Sequence, residues 1–545
     1  MNNRSGKIQI NIVDILQQHI FLAELSWDKG IIQAITPLAE EDKAYSYLIP
    51  GFIDAHVHIE SSMLTPVEFS RLATRHGTVA SVSDPHEIAN VMGLEGMRFM
   101  LDNAEKTAFK IFFGAPSCVP ATPFETAGAV LNAEHLEGLF KAGDVSYLSE
   151  VMNYPDVLNK EPKTLAKLAL AQSYSCPIDG HAPGLSGSQV EQYAQAGIST
   201  DHECSTLAEA KAKLAAGMKI LIREGSAARN FDTLHSLISL YPEQVMLCSD
   251  DKHPDDLQAG HINQLAARAI ALGHSVFDVL RCACINPVLH YGLSVGQLKV
   301  GDAMDAVELA GLHELKPLKT WISGAVVAEK GKSHIVSTDT PACNQFNARK
   351  VSATDFLISA VDQVRVIKVF DGELLTEEWQ TAASTEQGYL VPDTQRDILL
   401  LTVINRYQAK PPSIALIHGF GLQQGALVST VAHDSHNIIA VAADIDSLCL
   451  AVNRIIDQQG GIAVAQQGKV DLLPLPIAGL MSDQDGDTVA ARYTELDQAA
   501  KQLGSPLRAP FMTLSFMALL VIPELKLSDQ GLFDGRSFQF TDLKV

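Results

Sequence analysis

The hydrophobic pattern changes several times along the 545 residues of the chain. Short apolar runs occur at residues 8–13, 20–22 and 31–35, and Lys29-Gly30 separates the last two as a hairpin turn would. From residue 50 to about 290, apolar strand-like runs alternate with helix-like segments at a spacing of roughly thirty residues. The pattern therefore predicts a small β-unit followed by a repeated strand–helix region.

The repeated region contains eight strand candidates. They end near His58, Asp84, Gly114, Glu150, His181, His202, Glu224 and Asp250, with helices predicted at 65–76, 163–173, 186–196 and 206–216. Eight repeats over about 240 residues are typical of a (β/α)8 barrel. An open doubly wound sheet is the alternative. The barrel is favoured because polar residues follow the carboxyl end of almost every strand, where a barrel places its active site.

The rest of the chain, nearly half of its length, returns to short strands. Residues 292–332 continue the β pattern, and the polar residues 333–350 are typical of a linker. Beyond them, strands are predicted at 397–405, 413–418 and 437–443, and a helix at 445–458. The domains predicted are 1–49 with 291–335, then 50–290, then 350–545. The most apolar stretch, 511–522, is too short to span a bilayer and predicts a core helix or strand.

The composition limits the classes of molecule that the protein is expected to bind. Lys and Arg number 41 against 63 Asp and Glu, so the net charge is −22. Such a charge argues against nucleic acid and favours a neutral or cationic small ligand. The eight cysteines form no C-x-x-C pair, and residues 1–16 contain no apolar run of signal-peptide length. These features predict reduced thiols in a cytoplasmic protein that does not enter a membrane.

The segment PGFIDAHVHIE at 50–60 contains the first candidate metal ligands. It reads as a buried strand ending in His56 and His58. Residues i and i+2 of a strand point to the same side, so both imidazoles can reach one metal ion. Two structural histidines are the alternative for an isolated pair. The context, with Pro50-Gly51 before the strand and Glu60 after it, favours the metal site.

Other strand ends supply similar groups. Glu150, His181, His202 and Asp250 end the fourth, fifth, sixth and eighth predicted strands, and they meet His56 and His58 only if the sheet closes. Two cations roughly 3.5–4 Å apart need a bridging anion, which Glu150 can supply. Four imidazoles and two carboxylates suit zinc, manganese or iron(II), and the lack of a thiolate argues against a structural zinc.

Several of these segments together resemble the adenine deaminase family of the amidohydrolase superfamily. The matching motifs are HVHIESS at 56–62, SDPHEIAN at 83–90, SEVMN at 149–153, DGHAP at 179–183 and SDDKHP at 249–254. In the last domain, VAHDSHN at 431–437 and PLPIAGLMS at 474–482 are similar to that family's C-terminal domain. The resemblance implies an α/β fold: a (β/α)8 TIM-like barrel, a small β-sandwich from the flanking segments, and a C-terminal α+β domain.

The resemblance also implies an activity. It is hydrolytic deamination of free adenine to hypoxanthine and ammonia by a metal-activated hydroxide, in purine salvage or catabolism. Two divalent ions are expected per chain, with manganese or iron(II) favoured and zinc possible. Adenine and water are the expected small-molecule partners, in a homo-oligomer of two or more chains. This is not the deaminase class with an H-x-E…P-C-x-x-C zinc motif that acts on flipped bases.

The expected residue roles follow the same resemblance. Asp250 is both a ligand and the group that moves the hydroxide proton toward N1 or the leaving amine. Glu60 is a further catalytic candidate. His86 is expected at the active-site end but apart from the metal ligands, in a supporting or substrate-facing role, with a structural loop histidine as the alternative.

Four further residues are expected to bind the substrate: Asp251, Glu203, Arg223 and His436. A surface salt bridge is the alternative for Arg223, and a polar turn is the alternative for the loop that contains His436. Because a small base offers few atoms for binding, we expect the C-terminal domain to close over the barrel mouth through residues 435–437.

Two other functions compete with the deaminase prediction. One is another binuclear amidohydrolase that cleaves a cyclic amide or an N-acyl group, because the strand-end ligands are shared across that superfamily. The other is a catalytically inactive, ligand-binding homologue. The presence of all six predicted ligands argues against inactivity, and the segment 84–90 and the last domain argue against a different amidohydrolase.

Overall fold

The structure, a computed structural model, describes residues 4–545. The first four strands are β1 (Gly6–Asp14), β2 (His19–Asp28), β3 (Ile31–Glu40) and β4 (Tyr47–Pro50). The next eight strands are β5 (Phe52–Val57), β6 (Thr78–Ser83), β7 (Lys110–Ala115), β8 (Tyr147–Val151), β9 (Ile178–Gly180), β10 (Thr200–Asp201), β11 (Lys219–Arg223) and β12 (Val245–Cys248).

Helices follow each of these eight strands. They are α1 (Pro66–Ala73), α2 (His86–Ala104), α3 (Ala133–Ala142), α4 (Tyr154–Leu158), α5 (Pro162–Ser173), α6 (Ser188–Gln195), α7 (Leu207–Ala215), α8 (Phe231–Leu234), α9 (Leu237–Leu240), α10 (Pro254–Ala259), α11 (Ile262–Ala271), α12 (Val276–Leu280) and α13 (Asn286–Tyr291). A π-helical turn, Arg281–Ile285, joins the last two. Every predicted barrel strand is present, so the predicted (β/α)8 region is confirmed.

Two seams close the barrel. Strands β5 to β9 form one parallel sheet and β10 to β12 form another. At one seam the Ser199 amide donates to the Ile178 carbonyl at 2.8 Å, and at the other the Asp250 amide donates to the His56 carbonyl at 2.9 Å. The second bond brings two predicted metal ligands into adjacent positions at the carboxyl end of the barrel.

Local sequence signals set the helix ends. Helix α3 begins after Asn132, whose side chain accepts the His135 amide while the His135 ring accepts the Asn132 amide. It ends at Gly143, which has φ 75° and so adopts a left-handed conformation that glycine tolerates best. Helix α5 begins with Pro162, whose missing amide hydrogen is not needed in a first turn.

The segments that flank the barrel form one sheet. Its later strands are β13 (Ala306–Leu309), β14 (Pro317–Ile322), β15 (Ala325–Glu329) and β16 (Lys332–Ser333), and the order is β16-β15-β14-β13-β4-β1-β2-β3. Trp27 on β2 and Trp321 on β14 are four strands apart, which is about 19 Å in a flat sheet. Their ring centroids lie 6.4 Å apart, so the sheet curls and packs against itself. The predicted sandwich is thus two halves of one curled sheet.

The C-terminal part is a mixed α/β domain. Its elements are β17 (Gln363–Lys368), β18 (Glu377–Ala382), β19 (Thr385–Glu386), β20 (Tyr389–Leu390), β21 (Leu399–Ile404), β22 (Ser413–His418), β23 (Ala426–Ser429), β24 (Ile438–Ala442), α14 (Ile445–Gln458), β25 (Gly461–Gln466), β26 (Lys469–Pro474), α15 (Gly486–Gln502), α16 (Pro510–Ser515), β27 (Leu525–Ser528), β28 (Gly531–Asp534) and β29 (Gln539–Phe540). Eight strands form its main sheet, in the order β18-β17-β22-β21-β24-β23-β25-β26.

Helix α14 shows how this domain builds its core. Leu448, Ala451, Val452 and Ile455 recur at helical spacing and are buried in one apolar cluster with residues of β23, β24 and β25. The apolar stretch 511–522 becomes α16 and a 3-10 turn, as a core segment. Across residues 4–545 we find no helix with the length and hydropathy needed to cross a membrane.

The C-terminal domain rests on the carboxyl end of the barrel strands. Arg75 forms two hydrogen bonds to the Asp487 carboxylate, at 2.6 and 2.7 Å. The Asn437 side chain donates to the Thr126 carbonyl at 2.9 Å, and the Ser482 amide donates to the Met63 carbonyl at 2.9 Å. Met63 and Thr126 follow β5 and β7, so the last two contacts place residues of the C-terminal domain over the barrel mouth. Arg75 precedes β6, so its contact lies toward the amino end of the strands.

A buried carboxylate holds the closing strands together. Asp54 of β5 accepts hydrogen bonds from the Ser249 amide at 2.9 Å and from the Ser249 hydroxyl, and its other contact is with His261 Nε2 at 2.8 Å. We expect Asp54→Ala to lower the free energy of unfolding by about 3–5 kcal/mol, because it leaves buried donors without partners. Urea denaturation measures the change.

The matched control is Asp232→Ala. The Asp232 side chain is 84% exposed and pairs with Arg268 at the surface. We expect this variant to lose less than about 1 kcal/mol. Equal destabilisation by the two variants would contradict the role assigned to Asp54.

Candidate active site

The six predicted ligands meet at the carboxyl end of the barrel. His56 and Glu150 lie on β5 and β8, His58, His181 and His202 directly follow β5, β9 and β10, and Asp250 lies two residues beyond β12. All six are at most 5% exposed. They converge because the carboxyl ends of parallel barrel strands share one rim.

Glu150 is central to this arrangement. Its Oε1 lies 3.2 Å from His58 Nε2, while its Oε2 lies 2.8 Å from His181 Nδ1 and 3.1 Å from His202 Nε2. The two oxygens therefore face different imidazoles, as a carboxylate that bridges two cations must. On the opposite side, Asp250 Oδ1 lies 3.3 Å from His58 Nε2 and 3.6 Å from His56 Nε2.

These residues fit divalent metal ions. His56, His58 and Asp250 offer donor atoms within 4.8 Å of one another, and so do His56, Glu150 and His202. Within residues 4–545, both ring nitrogens of His56 and Nε2 of His181 are buried without a hydrogen-bond partner. Buried imidazole nitrogens of this kind are costly unless a ligand satisfies them.

The electrostatics of the cluster favour ionised carboxylates. Burial by itself would raise the pKa of Glu150, but His181 and His202 outweigh it and hold the pKa well below its usual range. Burial likewise opposes the ionised form of Asp250, and Arg223 together with His56 and His58 lowers its pKa well below the ordinary value. Both side chains can therefore bind cations as anions.

Arg223 and Glu203 form a buried pair beside the cluster. Arg223 Nη2 donates to Glu203 Oε2 at 2.9 Å, and Nη1 donates to Asp250 Oδ2 at 2.5 Å and also contacts Glu203 Oε1. Arg223 is 7% exposed. The alternative of a surface salt bridge is therefore wrong. Since Arg223 holds Oδ2 of Asp250, Oδ1 is the oxygen that faces the histidines.

Asp251 and Glu60 occupy different depths. Asp251 lines the cavity and accepts a 2.5 Å hydrogen bond from the Ser61 hydroxyl. Glu60 is not among the cavity-lining residues; its Oε1 accepts the Ile88 amide at 3.2 Å, at the start of α2. Burial raises the pKa of Glu60 to about 7.

His86 lies closer to the ligands than expected. It is the first residue of α2, and its Nδ1 lies 3.1 Å from Asp84 Oδ2 and 3.6 Å from Glu150 Oε1. Its ring centroid is 4.7 Å from that of His58. The expectation that it stands apart from the metal ligands is wrong, because β6 ends beside β5 and directs the start of α2 into the barrel mouth.

The loop at residues 433–437 reaches the same place from the C-terminal domain. His433 Nδ1 lies 2.5 Å from Glu87 Oε1, and His436 Nε2 contacts Glu87 Oε2. The prediction that this loop packs near the barrel mouth is confirmed. His436 is fully buried and does not line the cavity, so its contact is with Glu87 rather than with the cavity space.

Two residues of the same domain hold this loop in place. Arg406 is fully buried and donates to the His436 carbonyl at 3.1 Å, and the Tyr407 hydroxyl donates to the Ser435 carbonyl at 2.6 Å. Sequence reasoning did not assign site roles to Asp84, Glu87, His433 and Asp434. The signals for them were the polar motifs at 83–90 and 431–437, whose meeting depends on how the two domains pack.

These groups surround a cavity at the barrel mouth. Its lining includes residues of the His, Asp and Glu cluster together with the apolar side chains of Met152, Leu374, Phe516 and Leu519. The Phe516 ring stacks on His433, with centroids 5.0 Å apart. The cavity therefore combines polar groups with apolar surface, as expected for a flat, uncharged heteroaromatic ligand.

Lys526 contacts the backbone of two of these apolar residues. It is fully buried, and its Nζ donates to the Leu374 carbonyl at 2.7 Å and to the Phe516 carbonyl at 3.1 Å. Burial lowers the pKa of Lys526 to about 7. The unfolded chain therefore binds more protons than the folded protein between about pH 7 and the ordinary lysine pKa.

This difference predicts a pH dependence of stability. As pH rises from about 7 to about 10.5, the Lys526 contribution to the free energy of unfolding should increase by up to about 1.4 kcal/mol per pH unit. We expect Lys526→Met to lack this increase in urea denaturation at pH 7, 8.5 and 10. The exposed-lysine control Lys299→Met should behave like the wild type, and identical pH profiles for wild type and Lys526→Met would contradict the prediction.

Family models match most of the chain. The amidohydrolase family model matches residues 47–327, and the model for the adenine deaminase C-terminal domain matches residues 373–539. The first match covers the barrel with parts of the curled sheet, and the second covers most of the C-terminal domain.

Curated relatives match over nearly their full length. The adenine deaminase of Salinibacter ruber is 52% identical over 541 residues, which are 99% of each chain, and that of Methanosarcina barkeri is 49% identical over 542 residues, which are 98% of each. Among solved structures, an adenosine deaminase from Xanthomonas campestris with bound zinc covers 60% of this chain and 93% of its own. It is 14% identical to this chain, with a TM-score of 0.45.

Proposed function

Because the chain belongs to the adenine deaminase family of the metal-dependent amidohydrolases, we propose that it hydrolyses free adenine to hypoxanthine and ammonia. The observation that carries this proposal is that the likeness includes both domains, and that both domains line one cavity beside the six ligands. The apolar side chains that line the cavity suit the faces of an uncharged ring.

The metal centre is the second part of the proposal. His56, His58, Glu150, His181, His202 and Asp250 would hold two divalent cations, with manganese or iron(II) preferred and zinc as an alternative. Their mixed nitrogen and oxygen donors suit these ions. When bound, the cations supply Lewis-acid polarisation and lower the pKa of a water molecule.

Asp250 is proposed to move the proton. In the net reaction, a water oxygen bonds to C6 of adenine, the C6–N6 bond breaks, and two protons reach the departing nitrogen and the ring. The Oδ1 atom of Asp250 faces His56 and His58, at the proposed metal site, because Arg223 holds Oδ2. A carboxylate in hydrogen-bond reach can accept the water proton and return it to N1 or the amino group.

The remaining residues are proposed to position the base. Asp251, Glu203, Arg223 and His86 line the cavity, where they can contact ring nitrogens or orient the groups that do. Glu60 would act through the start of α2, and His436 through Glu87, because neither lines the cavity. The C-terminal domain would exclude water from the reaction through His433 and Phe516.

We further propose that the protein is cytoplasmic and assembles into a homo-oligomer, with neither nucleic acid nor membrane as a partner.

The two alternative functions, a different amidohydrolase and an inactive homologue, make different predictions in one set of assays. Ammonia release is measured from adenine and from other purines and pyrimidines, and ring opening of cyclic amides is measured by chromatography, both with the manganese-loaded protein. Ring opening of a cyclic amide without ammonia release from adenine would support the first alternative, and no reaction with any of these compounds would support the second.

The first test variant in the adenine assay is Asp250→Asn. We expect it to keep its fold but to lose several orders of magnitude in kcat with adenine, because an amide cannot accept the water proton. Circular dichroism and metal analysis establish that the variant is folded and loaded. Near-wild-type turnover in a metal-replete sample would refute the proton-transfer role of Asp250.

The second variant tests the proposed bridge. We expect Glu150→Gln to lower the number of ions held by the barrel ligands from about two per chain toward one or fewer, because the anion between the two ions is lost. Elemental analysis after dialysis measures the content, and the exposed-site control Glu191→Gln should match the wild type. If the barrel ligands of Glu150→Gln still held two ions tightly, Glu150 would not be the bridging ligand.

A further inference from the structure

A second group of metal-binding side chains lies beside the first. It consists of His86, Glu87, His433 and Asp434, which we call the interdomain cluster because the first two belong to the barrel and the last two to the C-terminal domain. None of the four belongs to the six ligands described above. We propose that the interdomain cluster binds a third divalent cation, separate from the pair held by the barrel.

The donor atoms have the spacing of a coordination sphere. His86 Nε2 lies 3.6 Å from Glu87 Oε1 and 3.6 Å from Asp434 Oδ1. His433 Nδ1 lies 2.5 Å from Glu87 Oε1 and 3.9 Å from Asp434 Oδ1. Four donors about 2.1 Å from a tetrahedral ion would be about 3.4 Å apart. Three of the four separations lie near that value, and the separation of Glu87 and His433 is shorter.

The surroundings of these side chains fit ligands better than ordinary ion pairs. All four are at most 3% exposed. Within residues 4–545, His86 Nε2, both carboxylate oxygens of Glu87 and Oδ2 of Asp434 have no partner that meets the geometry of a hydrogen bond. Buried polar atoms seldom remain unsatisfied, and a cation would satisfy several of them at once.

The second nitrogen of His86 lies beside a carboxylate. A histidine that binds a metal through one ring nitrogen usually donates a hydrogen bond from the other to a carboxylate. His86 Nδ1 lies 3.1 Å from Asp84 Oδ2 without the geometry of a hydrogen bond, and Nε2 is the nitrogen that faces Glu87 and Asp434. The His86 amide also donates to Asp84 Oδ1 at 3.0 Å, which fixes the start of α2.

His436 gives Glu87 a similar support. Its Nδ1 faces the Ala432 amide at 3.2 Å and so serves as the acceptor, which leaves the proton on Nε2. The Nε2 atom contacts Glu87 Oε2 without the geometry of a hydrogen bond. Glu87 Oε1 then remains for the cation, while Arg406 and Tyr407 hold the loop that carries His433 and Asp434.

The charges also match a divalent cation. Two carboxylates and two neutral imidazoles carry a charge of −2, which such an ion neutralises in a site closed to water. Because each domain supplies two ligands, the cation would fasten the C-terminal domain over the cavity. This inference does not depend on adenine being the substrate.

The test is the number of metal ions bound by the full-length protein. We expect manganese-saturated wild type to hold three ions per chain, and His433→Asn and Asp434→Asn to hold two. Glu150→Gln should keep the third ion while losing ions from the pair. The matched control His418→Asn changes a C-terminal-domain histidine whose nearest carboxylate is Asp397, and it should still hold three ions.

Anomalous scattering from crystals of the manganese-loaded wild type locates the ions independently of any variant. A peak bounded by His86, Glu87, His433 and Asp434 is expected in addition to two peaks at the barrel ligands. Two ions per saturated wild-type chain, with both peaks at the barrel ligands, would overturn the proposal. That result would leave the proposed deaminase activity intact, since adenine turnover by the same sample is measured separately.

Discussion

The closure of the parallel barrel is the constraint on which the rest of the structure depends. The hydrogen bond from the Asp250 amide to the His56 carbonyl joins the last strand to the first and sets the spacing of two ligands. The carboxylate of Asp54 reinforces the same seam from below through Ser249 and His261. The six ligands come from five strands that are distant in sequence, so an open sheet would separate them by the width of the sheet.

The C-terminal domain contributes a loop that packs against the barrel mouth. Its loop at 433–437 would be an ordinary polar turn if it were exposed, but Arg406 and Tyr407 hold it against the barrel. The buried guanidinium of Arg406 donates to the carbonyls of His436 and Ala478 and to the side chain of Asn344. It therefore stabilises the loop without bringing another carboxylate into a region that already contains Glu87 and Asp434.

Much of the fold and of the metal cluster could be predicted from the sequence, for a local reason. Each strand places its last residues at the rim, so the positions of His58, Glu150, His181, His202 and Asp250 follow from where the apolar runs end. The curl that brings Trp27 onto Trp321 could not be predicted, because it depends on the twist of a whole sheet. The contact of Glu87 with His433 was also beyond prediction, since it joins residues from two domains.

The charges of the side chains that line the cavity link the chemistry of the site to the stability of the fold. Six carboxylates line it, those of Glu87, Glu150, Glu203, Asp250, Asp251 and Asp434, and among the lining residues Arg223 is the one Lys or Arg side chain. Grouping so many anions away from water is costly unless cations or protonated imidazoles neutralise them. Any ion that binds only the folded protein offsets this cost and stabilises the fold in proportion to its affinity. A cation bound among these carboxylates would therefore stabilise the folded arrangement of the barrel mouth and the C-terminal loop.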